Sequence, residues 1–159
     1  MKAYLALGSN VGDRAANLAF ARRELRAAGV HILAESTVEE TEPVGGVEQP
    51  KFLNQVVEVD TDLQPRALLG VAKEIESRAG RQPGGERWGP RELDVDILLY
   101  GHLSIDTPEL QIPHPQLVSR EFVLRELREI NPRLTDAVSG VTTQQLLLQM
   151  QKEDEGALR

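Results

Sequence analysis

Apolar and polar positions along the chain fall into stretches of two periods, and those periods predict its elements. Ala3 to Leu7 is a short apolar run ending in the turn formers Gly8-Ser9-Asn10-Val11-Gly12-Asp13, a strand leading into a helix with Asp13 as its N-cap. From Arg14 to Ala28 the apolar positions Leu18, Ala21, Leu25 and Ala28 recur at three and four, an amphipathic helix, and Gly29 stands where a terminating glycine belongs. Strand character follows from about Ile32 to Glu40. Glu42 to Pro50 is broken throughout by proline and glycine and predicts a sizeable loop. Phe52 to Asp60 alternates as a strand, and Pro65 opens a helix that runs to about Ala79, before Gly80.

A second irregular stretch, Arg81 to Glu92, contains Pro83, Gly84, Gly85, Gly89 and Pro90. Leu93 to Tyr100 then alternates as a strand, with Leu93, Val95, Ile97 and Leu99 expected on one face and Asp94 and Asp96 on the other. Beyond it lie a turn at Gly101-His102, a segment from Pro108 to Pro115, a helix around Glu121 to Glu129, and a C-terminal helix from about Thr142 to Lys152. The order β-α-β-β-α-β with an appended helical extension is the split βαβ plan of ferredoxin-like α+β domains, an antiparallel sheet with helices expected on one face.

Composition narrows the chemistry. A chain of 159 residues is expected to be one domain, able to bury roughly 70% of its extended surface. With no cysteine, disulfides, thiolate zinc sites and thiol nucleophiles are excluded, so chemistry must come from oxygen and nitrogen, in keeping with a reducing cytoplasm. A net charge of −7 and a pI near 5.0 argue against a general nucleic-acid surface, so any phosphate site must be local. No apolar run approaches a membrane span and the first residues lack a signal-peptide pattern, which makes a soluble cytoplasmic protein the expectation.

The informative stretch is Arg87-Trp88-Gly89-Pro90-Arg91-Glu92-Leu93-Asp94-Val95-Asp96-Ile97. Next neighbours on one strand face stand roughly 6.5 to 7 Å apart at the backbone, so Asp94 and Asp96 are spaced to clamp hard cations. Mg²⁺ suits such a pair, because it takes one or two carboxylates and completes its shell with water and phosphate. The bland alternative is the wet face of a half-covered sheet. Against it, aspartate is a poor strand residue and two acids on one face repel. Arg81, Arg87 and Arg91 lie just upstream, and guanidinium forks match phosphate oxygens; alternatively, they are solvated partners of Glu86 and Glu92.

Other positions carry two readings each. Gly8-Ser9-Asn10-Val11-Gly12 lacks the residues of a P-loop and the spacing of a dinucleotide fingerprint, and reads better as a tight turn than as a phosphate cradle. Glu76, late on its helix, either reaches a ligand at the helix end or faces solvent. His114, held between Pro113 and Pro115, reads either as a ligand contact or as a structural histidine, Arg120 and Phe122 divide the same way, and Trp88, an aromatic among glycines, suits a lid or stacking surface better than a core.

Taken together, these residues resemble the 6-hydroxymethyl-7,8-dihydropterin pyrophosphokinase family. Arg87 to Leu98 reproduces the family signature without a gap, and Leu7-Gly8-Ser9-Asn10, Thr41-Glu42-Pro43, Phe52-Leu53-Asn54 and Ile112-Pro113-His114-Pro115 fall in family order. The resemblance implies transfer of pyrophosphate from ATP to the hydroxymethyl group of the pterin, with release of AMP, in folate biosynthesis. It implies two Mg²⁺ ions on Asp94 and Asp96, and Arg81 and Arg91 on the phosphates during transfer. Phe52 and Phe122 would sandwich the pterin, and Asn54, with backbone groups near Thr41 and Val44, would read its edge. Glu76, Arg87, Trp88, Arg91, Ile97, His114 and Arg120 would seat ATP. The chain departs from the family pattern at Lys73, Pro83, Gly84, Glu109 and Pro115, all on the nucleotide side. The alternatives are another two-metal phosphoryl transferase and a non-catalytic pterin- or nucleotide-binding module. The expected partners are small molecules, neither nucleic acid nor membrane, with the protein a monomer or weak homodimer.

Overall fold

A computed structural model describes residues 1–42, 50–80, 92–115, 117 and 120–134. Along the chain come β1 (Lys2–Ser9), α1 (Arg14–Ala27), β2 (His31–Glu35), β3 (Glu39–Thr41), β4 (Phe52–Asp60), α2 (Pro65–Gly80), β5 (Asp94–Tyr100), β6 (Ile105–Asp106), β7 (Gln111–Ile112) and α3 (Glu121–Ile130). The main sheet is antiparallel in the order β2-β4-β1-β5, with β3 also on β4, and β6 and β7 form a separate small hairpin. Placing β1 between β4 and β5, the third and fourth strands of the β-α-β-β-α-β plan, is the ferredoxin-like arrangement that the element order predicts. The C-terminal helix expected from Thr142 lies outside the described residues.

Local chemistry sets the element ends. The Asp13 carboxylate accepts from the Ala16 N–H at 3.1 Å, satisfying one open donor at the start of α1. Gly29, at φ +83°, turns the chain out of α1 in a conformation that side-chain-bearing residues rarely adopt. The single strand expected over Ile32 to Glu40 is two strands, because Ser36 interrupts it. Its N–H donates to Val56 O, its hydroxyl accepts from Val56 N, and its carbonyl accepts from the Gln55 amide, at 2.8 to 2.9 Å. A side chain thus replaces part of the ladder, and the two short strands share β4.

Helices cover both faces of the sheet, rather than the one face expected. Leu18, Ala21 and Leu25 of α1 and Leu68, Ala72 and Ile75 of α2 meet Leu5, Leu7, Val57, Val59, Val95 and Ile97 on one side. On the other, Val123, Leu124 and Leu127 of α3 pack on Tyr4, Val56, Leu98 and Leu99. The sheet is apolar on its second face as well, so the segment after β5 returns to cover it.

The facing of β5 is also corrected at one position. Tyr4 pairs with Leu99 but Leu5 pairs with Ile97, which leaves Leu98 as a bulge. Past the bulge the alternation shifts, so that Leu99 joins Leu98 in the α3-side core and Tyr100 joins Val95 and Ile97 on the other. No helix among the described residues is long and apolar enough to cross a membrane.

Candidate active site

Register brings the two aspartates onto the α3 side of the sheet beside small residues. Asp94 lies opposite Gly8, which lies opposite Asn54; Asp96 lies opposite Ala6, which lies opposite Val56. Cross-strand neighbours share a face, and with Gly8 and Ala6 between them the floor stays low. A Cβ on Gly8 would stand 3.2 Å from Asn54 Oδ1 and 3.8 Å from Phe52 Cδ1. A side chain here would crowd Asn54, and the constraint is one of space, since the residue has no positive φ.

Over this floor is a cavity of about 200 Å³. Phe52 of β4 and Phe122 of α3 supply its aromatic rings, Asp94 and Asp96 line it from β5, and Arg120 lines it from the residue before α3. Thr41 pairs with Phe52 at the end of β3, and the Asn54 amide donates to the Thr41 hydroxyl, so that Asn54 is oriented before any ligand arrives. Five residues predicted from different parts of the chain (Thr41, Phe52, Asn54, Arg120 and Phe122) thus meet around the acids.

A second cleft of about 190 Å³ lies across β5, and Asp96 borders both. His114, Ile97, Lys73 and Leu110 also line it. The His114 N–H donates to the carbonyl of the bulged Leu98 at 2.9 Å, which ties the 112–115 segment to the strand. Burial holds the His114 imidazole below its ordinary range; the Asp96 carboxylate opposes that shift and the Arg120 cation adds to it. Glu76 does not extend freely into solvent. Its carboxylate accepts from the Val95 N–H at 3.0 Å, between the two aspartates, and pairs with Lys73 at 3.4 Å.

Val44, Arg81, Arg87, Trp88 and Arg91 lie outside the described residues. Sequence reasoning missed Glu126, which lines the first cavity from α3 and is 1% exposed. Burial, reinforced by Glu39 and Glu129 and opposed by Arg125, pushes its carboxyl up to about 8. Its signal was available: Val123, Glu126, Leu127 and Ile130 follow the i, i+3, i+4, i+7 stripe of an inward helix face.

Among the described residues no three His, Cys, Asp or Glu side chains gather to hold a metal. The donor set on β5 is a pair of carboxylates facing a cavity. This suits a cation that takes one or two carboxylates and draws the remaining ligands from water and phosphate, as Mg²⁺ does, and does not suit a closed protein cage.

Residues 4–132 match the model of the family described as 7,8-dihydro-6-hydroxymethylpterin-pyrophosphokinase. A Bacillus subtilis protein named 2-amino-4-hydroxy-6-hydroxymethyldihydropteridine pyrophosphokinase is 41% identical over 155 residues, covering 97% of this chain and 92% of that one. A Methylorubrum extorquens protein of the same name is 41% identical over 150 residues, covering 94% and 93%. Among solved structures, wild-type Plasmodium falciparum HPPK-DHPS superposes with a TM-score of 0.77 at 16% identity, over 98% of this chain and 46% of that one. The chain therefore spans under half of that solved protein, and the likeness is one of fold.

Proposed function

The chain belongs to the 7,8-dihydro-6-hydroxymethylpterin-pyrophosphokinase family, and on that premise we propose how its own residues divide the work. The reaction moves pyrophosphate from ATP to the hydroxymethyl group of 6-hydroxymethyl-7,8-dihydropterin in folate biosynthesis. The observation that carries the site reading is the position of Asp96, which borders both the aromatic cavity and the cleft of His114. Two substrates lying in these two spaces meet at the β5 carboxylates.

Phe52 and Phe122 enclose the flat ring, because stacked aromatic faces give a planar ligand large contact area with defined orientation. Asn54, held by Thr41, reads a hydrogen-bonding edge, with backbone groups near Val44. The phosphate chain approaches from the second cleft past His114 and Arg120, and Ile97 gives that cleft an apolar wall. Glu76 serves ATP indirectly, by fixing the backbone between Asp94 and Asp96. Arg81, Arg87, Trp88 and Arg91 supply cations and a stacking surface from the 81–91 segment, a role supported by the family resemblance alone.

Asp94 and Asp96 are the residues that would hold Mg²⁺, two ions by the family resemblance. A metal held there would supply neutralisation of phosphate charge. The hydroxymethyl oxygen forms a bond to the β-phosphorus of ATP as the bond to AMP breaks, and the hydroxyl proton is released. The protein's contribution is positioning and exclusion of water, since hydrolysis of ATP competes wherever water reaches the phosphorus. A chain without cysteine suits a reducing compartment, which supports a cytoplasmic location.

The test is mass spectrometry of the products formed from ATP, Mg²⁺ and 6-hydroxymethyl-7,8-dihydropterin. AMP and the pterin diphosphate are expected, and Asp94→Asn and Asp96→Asn should each reduce turnover by orders of magnitude. ADP as the product, or near-normal Mg²⁺-dependent turnover in both variants, overturns the reading.

A further inference from the structure

The pairing of β5 with β1 ends at one of the two aspartates. Gly8 opposite Asp94 is its last pair, whereas Asp96, opposite Ala6, lies inside the ladder. Beyond Asp94 the chain leads back through Leu93 to Glu92, and beyond Gly8 it passes through Ser9 and Val11 into α1. Among the described residues no strand pair joins those two runs.

One side chain does join them. The Asn17 amide of α1 donates to Ser9 Oγ and to Val11 O, both at 3.1 Å, and to Glu92 O at 3.2 Å. Two of these partners are carbonyls, which only accept, so the amide must turn its NH₂ group toward them, and two hydrogens serve three oxygens. Asn17 lines neither the aromatic cavity nor the cleft of His114. The two acids are thus held differently. Asp96 has strand pairing around it, and Glu76 of α2 binds the Val95 N–H between the pair. Asp94 stands at the ladder's end, two residues from the carbonyl that Asn17 grips.

We propose that Asn17 is a positioning residue for the metal site: by tying Glu92 to the turn after β1, it sets where Asp94 stands relative to Asp96. The inference rests on the reading of that pair as the residues that would hold Mg²⁺. Asn17 touches neither substrate nor metal and acts through the backbone of residues 92–94. Mg²⁺ demands near-ideal octahedral geometry, so a displaced carboxylate costs affinity. Removing a group that orients a ligand from outside typically costs roughly 10- to 100-fold in metal affinity or activity.

The experiment compares wild type with Asn17→Asp, which keeps the shape and replaces the donor by an acceptor, with Asn17→Leu, which removes the polar group, and with Arg14→Ala. Arg14 ties the same helix to Lys51 O at 2.8 Å and to the Glu40 carboxylate at 2.9 Å, on the β3–β4 side of the sheet. Amide hydrogen exchange at residues 92–96 is measured without ligand. Mn²⁺ binding is followed by electron paramagnetic resonance with an ATP analogue carrying a methylene between its α- and β-phosphorus atoms, and turnover is measured against Mg²⁺ concentration. In both Asn17 variants exchange should quicken, Mn²⁺ should bind roughly tenfold more weakly, and half-maximal turnover should need correspondingly more Mg²⁺. KM for the pterin at saturating Mg²⁺ should stay near wild type, and Arg14→Ala should keep the wild-type Mn²⁺ affinity. Mn²⁺ affinity unchanged in either folded Asn17 variant overturns the inference, as does a loss of affinity without faster exchange at 92–96 or an equal loss in Arg14→Ala. If Asp94→Asn and Asp96→Asn bind Mn²⁺ as wild type does, or wild type binds none, the metal reading falls with it.

Discussion

Glu126 makes a prediction independent of any ligand. An unfolded glutamate titrates near 4.5, whereas burial holds the folded one up to about 8. Between those values the folded chain keeps a proton that the unfolded chain releases, so folding stability from this group falls as pH rises across the window. The charged groups around it are Glu39 on β3 and Arg125 and Glu129 on α3, with Asp94, Asp96, Glu42 and Arg120 elsewhere in the same cavity. Glu126→Gln, neutral at every pH, isolates the effect. The melting temperature of wild type should drop relative to this variant between about pH 5 and about pH 8; a gap constant across that range would mean that the carboxyl is not held neutral. At this scale the acids and aromatics were legible, because a strand period of two sets Asp94 beside Asp96 and a motif string names Phe52 and Asn54. Glu126 sits in no motif, and only its phase on the helix marks it.

At the scale of elements, α2 matters through one bond. Among the described residues β5 lies at the edge of the sheet, beside β1, and the N–H of Val95, itself 2% exposed, is satisfied by the Glu76 carboxylate. Glu76→Ala leaves that donor without its partner. A lost charged hydrogen bond to a buried group costs about 1.5–3 kcal/mol, so urea unfolding without nucleotide should show a loss of that size, with reduced turnover because the Asp94–Asp96 strand is less firmly held. A variant as stable as wild type would leave Glu76 a nucleotide contact only. The helices and their caps were readable from period and punctuation. The bulge at Leu98 and the break at Ser36 were not, since both depend on the partner strand's register, which no local pattern in β5 or β2 encodes.

Across the whole molecule, the strand order could be read from the sequence of elements, but coverage of the second face could not. The segment after Tyr100 has few periodic signals, and which face a returning helix takes is decided by where apolar surface is left. That choice creates the site, which lies between α3 and the sheet. Phe122 and Glu126 are placed by the packing of Leu124 and Leu127 on Tyr4, Val56, Leu98 and Leu99, and by Glu129, which accepts from the Thr37 N–H and hydroxyl at 2.9 and 2.6 Å. Two core truncations separate stability from placement. Leu127 and Leu25 are both 0% exposed, on opposite faces, and Leu→Ala at either should cost about 2–5 kcal/mol. Leu127→Ala should also weaken pterin binding, because α3 carries one wall of the cavity, whereas Leu25→Ala should leave it near wild type. Titrations well below both melting temperatures make the comparison. Equal losses of pterin affinity in the two variants would mean that global loosening, and not the seating of α3, governs how the pterin is held.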